Sequence, residues 1–303
     1  MNIFQYQAKN NEVYAQYLKL IGKSTNSISH YSEIPFLPIS LFKTHTVKTG
    51  NFETEHVFES STTTGNTPSK HHINSINDYH KNCLNIIENR MGLLSEYEIF
   101  GLLPNYLERK NSSLVSMIKF LMEHNNQPLN FYLYNFEELN HKLNKTPKKK
   151  ILFGVSFALL DFAKEYPQDL DNLTIIETGG MKGRKEEITK IELYHILQKA
   201  FPSSTIISEY GMTELLSQAY SDEDGLYTCP PWVKVLPRAD NDPLSKDMMK
   251  GHTAALNIID LANINSCCFI ATDDLGRVYE DGRFEVTGRL DQSDIRGCSL
   301  MAI

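Results

Sequence analysis

A strand–helix–strand pattern occupies residues 173–214, whose sequence is LTIIETGGMKGRKEEITKIELYHILQKAFPSSTIISEYGMTE. The apolar runs at 173–176 and 204–208 predict two buried strands. Residues 187–201 predict a helix between them, with its apolar residues at Ile188, Ile191, Leu193, Leu197 and Ala200. Two strands joined by a helix are typical of a parallel sheet.

The same alternation extends through most of the chain. Strands are predicted at 56–59, 97–103, 131–134 and 150–153, and helices at 75–94, 113–124, 137–143 and 157–166. After about residue 225 the pattern changes to short extended runs, and Asp281-Gly282 predicts a hairpin turn. We therefore expect an α/β fold: parallel sheets with covering helices in residues 1–224, plus an antiparallel β subdomain in residues 225–303, packed as one compact unit.

Composition excludes several classes of protein. The chain has 303 residues, 41% of them hydrophobic, and a formal charge of −7, which disfavours nucleic-acid and anionic-membrane partners. No apolar run is long enough for a membrane span, and no signal peptide is recognised. The five cysteines are scattered without a CxxC pair, so neither a disulfide framework nor a zinc site is indicated, and a cytoplasmic location is expected.

Three loops follow predicted strands, where ligands of parallel sheets bind. In the first, FESSTTTGNTPSKHHI (residues 58–73), hydroxyls, Gly65 and Lys70 suit a phosphate group, although a solvated linker has the same composition. His71 and His72 at its end are interpreted as a solvated or helix-initiating pair. The second, ETGGMKGR (residues 177–184), also fits a simple turn before a helix.

The third loop, SEYGMTE (residues 208–214), combines an aromatic ring, a glycine, a hydroxyl and a carboxylate. The ring of Tyr210 can stack on a base, and the carboxylate of Glu214 can hold Mg²⁺ beside phosphates. Two further motifs follow, TDDLGR (residues 272–277) and GRLDQSDIRG (residues 288–297). An aspartate such as Asp274 can accept both hydroxyls of a ribose.

In this order, the motifs TTTG, GG, YGMTE, TDDLGR and GRLD resemble the signature loops of the adenylate-forming superfamily. ETGGMKGR, SEYGMTELLSQAY, NIIDLANINSCCFIATDDLG and DIRGCSLM resemble more closely its acyl-protein synthetase (LuxE-type) branch. The resemblance runs from about Ile34 to the end. It implies that a carboxylic acid is activated with ATP and Mg²⁺ to an acyl-adenylate, in a cytoplasmic enzyme that passes the acyl group to a protein such as a reductase or carrier protein.

The resemblance also implies residue roles. Thr63, Thr64 and Gly65, with Lys70, would hold the ATP phosphates; Gly179 and Gly180 would lie along the adenine; Tyr210 and Gly211 would contact the base. Thr213 would touch the phosphate, Glu214 would bind Mg²⁺, and Asp274 and Arg289 would hold the ribose. Residues 1–224 would then form the ATP- and acid-binding core.

The sequence departs from the superfamily pattern in two places. Thr62 stands where many members have glycine, and the small C-terminal domain of typical acyl-CoA ligases is expected to be absent. Cys298, in RGCSLM, matches the cysteine that becomes acylated in the branch, although a small apolar role in the tail is the alternative. Two other functions stay open: a ligase that passes the acyl group directly to coenzyme A or a carrier protein, and a non-catalytic nucleotide-binding subunit of a reductase complex.

Overall fold

The structure is a computed structural model that describes residues 1–61, 67–104, 111–179, 188–240, 242, 244 and 250–290. Within these residues the helices are α1 (Asn2–Asn10), α2 (Glu12–Leu20), α3 (Leu41–Thr44), α4 (Ile76–Met91), α5 (Ser113–His124), α6 (Phe136–Lys145), α7 (Ser156–Glu165) and α8 (Lys190–Ala200). The strands are β1 (Leu37–Pro38), β2 (His56–Glu59), β3 (Lys70–Ile73), β4 (Tyr97–Leu102), β5 (Phe131–Tyr132), β6 (Lys149–Val155), β7 (Leu173–Thr178), β8 (Thr205–Tyr210), β9 (Ala219–Ser221), β10 (Tyr227–Thr228), β11 (Val233–Arg238), β12 (Thr253–Asp260), β13 (Phe269–Val278) and β14 (Phe284–Arg289).

Twelve of these strands form one sheet, in the order β11-β12-β13-β14-β10-β9-β8-β7-β6-β4-β5, with β1 paired in parallel to β13. The half from β5 to β8 is parallel, and every pair from β8 to β11 is antiparallel. The predicted α/β fold, with a parallel part followed by an antiparallel part, is confirmed. The boundary predicted at residue 224 falls between β9 and β10, and the sheet continues across it.

The parallel half is buried on both faces, which explains its continuous apolar strands. Helices α5, α7 and α8 pack against it. Helix α8 is shorter than the predicted 187–201, because Thr189 caps it through reciprocal hydrogen bonds with Glu192. Leu193 and Leu197 face the core as predicted, but the prediction for Ile191 was wrong: its side chain is 82% exposed, since it lies on the opposite face of the first turn.

A second hydrophobic cluster lies against the antiparallel half. Helices α1 and α2, which the sequence analysis did not predict, contribute Phe4 and Tyr14, whose rings lie 6.0 and 6.3 Å from that of Phe269 on β13. The amino-terminal segment therefore packs with strands that come more than 200 residues later in the chain.

The hairpin predicted at Asp281-Gly282 is confirmed. It joins β13 to β14, the amide of Tyr279 donates to the carbonyl of Arg283 at 2.8 Å, and Gly282 has a φ of +87° that favours glycine. Within the described ranges, no helix has both the length and the apolar content that crossing a membrane requires.

Candidate active site

The ring of Tyr210 lies at the end of β8, the last parallel strand. It packs against both Tyr227 and Phe284, with ring centroids 5.6 and 5.3 Å away, and those two rings stack on each other. Its hydroxyl donates a 2.8 Å hydrogen bond to Oδ2 of Asp274 on β13. The two motifs that contain Tyr210 and Asp274 are 64 residues apart in sequence, and the sheet brings them into direct contact.

Asp274 also lies beside Arg289, the second residue that is expected to hold the ribose. They are opposite each other on β13 and β14, with Nε of Arg289 3.3 Å from Oδ1 of Asp274. Burial raises the pKa of Asp274, while the Tyr210 hydroxyl and the charge of Arg289 oppose that rise. The guanidinium of Arg289 is largely exposed, and so remains available to a ligand.

A bulge in β13 directs Asp274 toward Tyr210. Between the pairs Ala271–Asn257 and Leu275–Ala255, three residues of β13 oppose Leu256 of β12. The hydroxyl of Thr272 donates to the Leu256 carbonyl at 2.8 Å and accepts from the amide of Asp274 at 3.2 Å, which closes the bulge.

Two other residues determine the shape of this region. The buried side chain of Arg238 donates through Nη2 to the carbonyl of Thr272 at 2.7 Å. Gly276, the glycine of TDDLGR, allows β14 to approach closely, because a Cβ there would lie 2.1 Å from the Glu285 carbonyl oxygen. The motif TDDLGR therefore forms a bulge in β13, from which Asp274 contacts Tyr210.

Glu214 lies in the loop after β8 and is 5% exposed. Burial raises the pKa of its carboxyl, while a hydrogen bond from the Ser69 side chain and the positive charge of Arg289 act in the opposite direction. Asp274 adds a smaller rise through charge repulsion. Glu214, Asp274 and Arg289 thus form one electrostatically coupled group.

A buried carboxylate that the sequence analysis did not single out holds the loop of Glu214. Oδ2 of Asp260 accepts from the amides of Leu216 and Ser217 at 3.0 and 2.9 Å, and Oδ1 accepts from the Ser217 hydroxyl at 2.8 Å. Burial raises the pKa of Asp260, and these donors oppose the rise. Since Asp260 ends β12, the loop is tied to the antiparallel half of the sheet.

The strands that flank the hydroxyl-rich loop, β2 and β3, form a separate antiparallel pair. The strand predicted at 56–59 is confirmed as β2, but it does not belong to the parallel sheet. The prediction for His71 was also wrong: β3 alternates, and it buries His71 while exposing Lys70. The Lys70 ammonium lies 3.8 Å from the Glu59 carboxylate. Thr62, Thr63, Thr64 and Gly65 lie outside the described residues.

At the end of β7, only the first glycine of the pair is described. Gly179 has a φ of +79°, and Gly180 lies outside the described ranges. Next to it, the Thr178 hydroxyl donates to Glu209 at 2.5 Å, and burial raises the pKa of Glu209 to about 7. Gly211 is required by this carboxyl, because a Cβ at position 211 would lie 2.2 Å from Oε1 of Glu209.

Cys298 lies outside the described residues. The other four cysteines are described as free thiols, and burial raises the pKa of Cys83, Cys229 and Cys267 to about 12 and that of Cys268 well above its usual value. These four thiols are therefore poor nucleophiles at neutral pH.

Comparison with known proteins decides the family. The sequence profile of the acyl-protein synthetase (LuxE) family matches residues 107–302, well over half of the chain. This chain belongs to that family. The long-chain-fatty-acid–luciferin-component ligase of Vibrio harveyi is 24% identical over 333 aligned residues, which cover 98% of this chain and 84% of that protein. The ligase of the same name from Aliivibrio fischeri is 25% identical, with 98% and 85% covered.

The acyl-protein synthetase chain also shares its fold with solved ligases. An open 2-hydroxyisobutyryl-CoA ligase in complex with 2-HIB-AMP and CoA matches 96% of this chain and 68% of its own length, with a TM-score of 0.71 at 12% identity. O-succinylbenzoate coenzyme A synthetase from Bacillus subtilis, in complex with ATP and magnesium ion, matches 78% of the chain with a TM-score of 0.58 at 15% identity. The chain spans about half the length of that synthetase, since 50% of it is covered.

The expected family, fold and enzyme class are thereby confirmed: this is an adenylate-forming ligase of the acyl-protein synthetase type. Of the predicted site residues, the structure brings Tyr210, Asp274 and Arg289 into contact and couples Glu214 to them. Lys70 instead lies beside Glu59. Sequence reasoning missed Glu209, Asp260 and Asn263. For Asp260 and Asn263 the only signal was their place in NIIDLANINSCC. This stretch resembles the acyl-protein synthetase branch, but the resemblance implied no role for either residue.

Proposed function

We propose that the protein activates a carboxylic acid, of the fatty acid class, with ATP, and then transfers the acyl group through Cys298 to a partner protein. Family membership and the names of the Vibrio and Aliivibrio relatives support the substrate class. One observation of the site carries the proposal: Asp274 is hydrogen-bonded to Tyr210 and ion-paired with Arg289, and the charges of Asp274 and Arg289 act on the buried carboxyl of Glu214.

The chemistry of these side chains fits a nucleotide with a bound metal ion. Asp274 has two acceptor oxygens for the vicinal hydroxyls of a ribose, and Arg289 has exposed donors beside it. The Glu214 carboxylate is a hard oxygen ligand of the type that Mg²⁺ prefers. In this proposal Thr63, Thr64, Gly65 and Lys70 contact the phosphates, Thr213 adds a hydroxyl there, and Gly179, Gly180, Tyr210 and Gly211 border the base. When bound, Mg²⁺ would neutralise charge on the phosphate oxygens.

The first step is substitution at phosphorus. A carboxylate oxygen of the acid forms a bond to the α-phosphorus of ATP, and the bond from that phosphorus to the bridging oxygen breaks, which releases pyrophosphate. The protein contributes mainly by positioning and by electrostatic stabilisation of charge on the phosphates. A buried site strengthens both effects because water competes less for the same oxygens.

The second step is acyl transfer. The thiolate of Cys298 forms a bond to the acyl carbon, and the bond from that carbon to the AMP oxygen breaks, which releases AMP. The raised pKa values of the other thiols support the assignment to Cys298, because buried thiols supply little thiolate at neutral pH. A thiol of the partner protein then takes the acyl group and releases Cys298. A reductase or a carrier protein has the chemistry of such a partner, and the cytoplasmic location stays a prediction.

ATP–pyrophosphate exchange over a panel of fatty acids of increasing chain length tests the first step. We expect exchange that depends on the acid, and a loss of about a hundredfold in Asp274→Asn. Release of acyl-CoA when coenzyme A is added would favour the direct ligase. ATP binding without exchange for every acid would overturn the proposal in favour of a nucleotide-binding subunit.

Labelling with a radioactive fatty acid tests the second step. Cys298→Ala should keep exchange and lose the hydroxylamine-labile acyl-protein, whereas the control Cys229→Ala should keep both. An acylated Cys298→Ala protein would assign the transfer to another residue.

A further inference from the structure

Three separate segments meet at the imidazole of His71. The residue lies on β3, is 1% exposed, and contacts the loop after β8 and the turn after β12. Its Nδ1 is 2.7 Å from the carbonyl oxygen of Thr213. A carbonyl only accepts, so Nδ1 carries the proton and donates to Thr213. Nε2 lies 3.0 Å from Oδ1 of Asn263.

Asn263 holds the next carbonyl of the same loop. Its side chain is fully buried, and Nδ2 donates to the Glu214 carbonyl at 2.8 Å and to the Cys267 carbonyl at 3.0 Å. These two donations fix the orientation of the amide, because the reverse orientation would place three oxygen atoms in contact. The backbone of Thr213 and Glu214 is therefore held by His71 from the hairpin and by Asn263 from the sheet.

The hairpin that carries His71 also carries the hydroxyl-rich loop. Its base is closed between Ser60 and Ser69, whose backbone and hydroxyl groups form hydrogen bonds of 3.1 and 2.9 Å. The Ser69 side chain lowers the pKa of the Glu214 carboxyl and so opposes the effect of burial. The β2–β3 hairpin thus contacts the Thr213–Glu214 segment through the imidazole of His71, and Ser69 acts on the Glu214 carboxyl.

We propose that His71 is a positioning residue for phosphate chemistry: its Nδ1–H holds the Thr213–Glu214 backbone against the β2–β3 hairpin. This inference rests on the proposed function and deepens it. His71 itself touches neither substrate. Burial lowers the pKa of His71 to about 4, while the hydrogen bonds to Thr213 and Asn263 oppose that fall.

Three variants distinguish the effect of the position of the hydrogen-bond donor from the effect of side-chain size. His71→Asn places an amide N–H near the position of Nδ1, His71→Gln places it near Nε2, and His71→Leu removes both donors while keeping an apolar side chain. The Asn and Gln variants are matched in polarity, so they differ chiefly in where the donor lies. Kinetics of ATP–pyrophosphate exchange and thermal melting are measured for all three variants.

We expect kcat for exchange to fall about tenfold to a hundredfold in His71→Gln and His71→Leu, with little change in KM for the acid. His71→Asn should stay within about fivefold of wild type, because it restores the donor to Thr213. Equal losses in the Asn and Gln variants, or losses that follow the melting temperatures alone, would overturn the inference. Exchange by the wild type tests the proposed function, and the ratio of kcat in His71→Asn to kcat in His71→Gln tests the role of His71. A wild type without exchange overturns both.

Discussion

The Tyr210 hydroxyl donates to Oδ2 of Asp274 at 2.8 Å and so joins the last parallel strand to the antiparallel half of the sheet. Without this donor, Oδ2 of Asp274 loses its hydrogen-bond partner, although the side chain is only 13% exposed. The contact has two consequences, one for stability and one for ligand binding. Both depend on the hydroxyl and neither depends on the ring.

Tyr210→Phe should destabilise the protein by about 1–2 kcal/mol, because a buried acceptor loses its hydrogen bond. We also expect KM for ATP to rise about tenfold, since Asp274 is less well oriented. Urea denaturation and exchange kinetics provide the two measurements. Tyr220→Phe is a matched control, because the buried Tyr220 hydroxyl has no hydrogen-bond partner within the described structure. Equal effects of the two substitutions would contradict the role of the hydroxyl.

Gly211→Ala should reduce stability through a steric clash and not through backbone conformation. The new Cβ would lie 2.2 Å from Oε1 of Glu209, and this buried carboxyl is held by Thr178. We expect a loss of about 1–3 kcal/mol in stability. Gly288→Ala is the control, since a Cβ there meets no atom within 4 Å.

A double-mutant cycle locates the source of that loss. In a Glu209→Ala background the contact with Oε1 is gone, so Gly211→Ala should cost much less there than in the wild type. Strict additivity of the two substitutions would show that the glycine is needed for another reason.

Glu209 should make stability depend on pH near neutrality. Its pKa is about 7 in the folded protein against 4.5 for an ordinary glutamate, because burial disfavours the carboxylate. A raised pKa means that the contribution to stability is fully present below pH 4.5 and is lost as the pH rises through about 7. Glu209→Gln should therefore gain about 3 kcal/mol relative to wild type between pH 4 and pH 8.

Chemical denaturation across that pH range measures the difference for Glu209. The exposed Glu223→Gln serves as the control and should follow the wild type at every pH. If Glu209→Gln also paralleled the wild type, the carboxyl would titrate at an ordinary pH in the folded protein.

The parallel half of the fold was predictable because its strands are buried on both faces and give continuous apolar runs, as in 173–176. The predicted start of the helix at 75–94 was also confirmed, since the Ser75 side chain caps α4 by accepting from the Asp78 amide at 3.2 Å. The motifs TDDLGR and GRLD indicated Asp274 and Arg289 as residues of one site, and the hairpin of β13 and β14 places them opposite each other. Each of these features lies within a short stretch of the chain, so it can be recognised from one sequence.

Long-range polar contacts were not predictable. His71 follows a loop rich in hydroxyls, and only the pairing of β3 with β2 shows that it points inward. Asn263 and Asp260 contact main-chain groups more than 40 residues away, and such contacts leave no periodic signal. Helix α1 begins without a side-chain cap, and its Phe4 packs against Phe269, which lies far away in the sequence.

Arg238→Met should lower activity while leaving stability nearly unchanged. The guanidinium is buried, burial lowers its pKa, and within the described residues Nε and Nη1 have no hydrogen-bond partner. A buried cation with unmet donors costs free energy that an apolar side chain of similar length avoids. The substitution also removes the bond to the Thr272 carbonyl that supports the bulge of β13. We therefore expect stability within about 1 kcal/mol of wild type, while exchange falls about tenfold because Asp274 is less firmly placed.

Urea denaturation and exchange kinetics on the same preparation test the prediction for Arg238. Lys234→Met, an exposed change on the same strand, removes a contact of the ammonium with the Tyr31 ring at 4.6 Å, so it should cost less than about 1 kcal/mol and leave exchange unchanged. A loss of several kcal/mol in Arg238→Met, with activity reduced only in proportion to the unfolded fraction, would make the guanidinium a structural group. A stable variant with weak exchange and an increased KM for ATP would instead connect the bulge to the ribose-binding carboxylate, since the bond to Thr272 is the contact of Arg238 that the substitution removes.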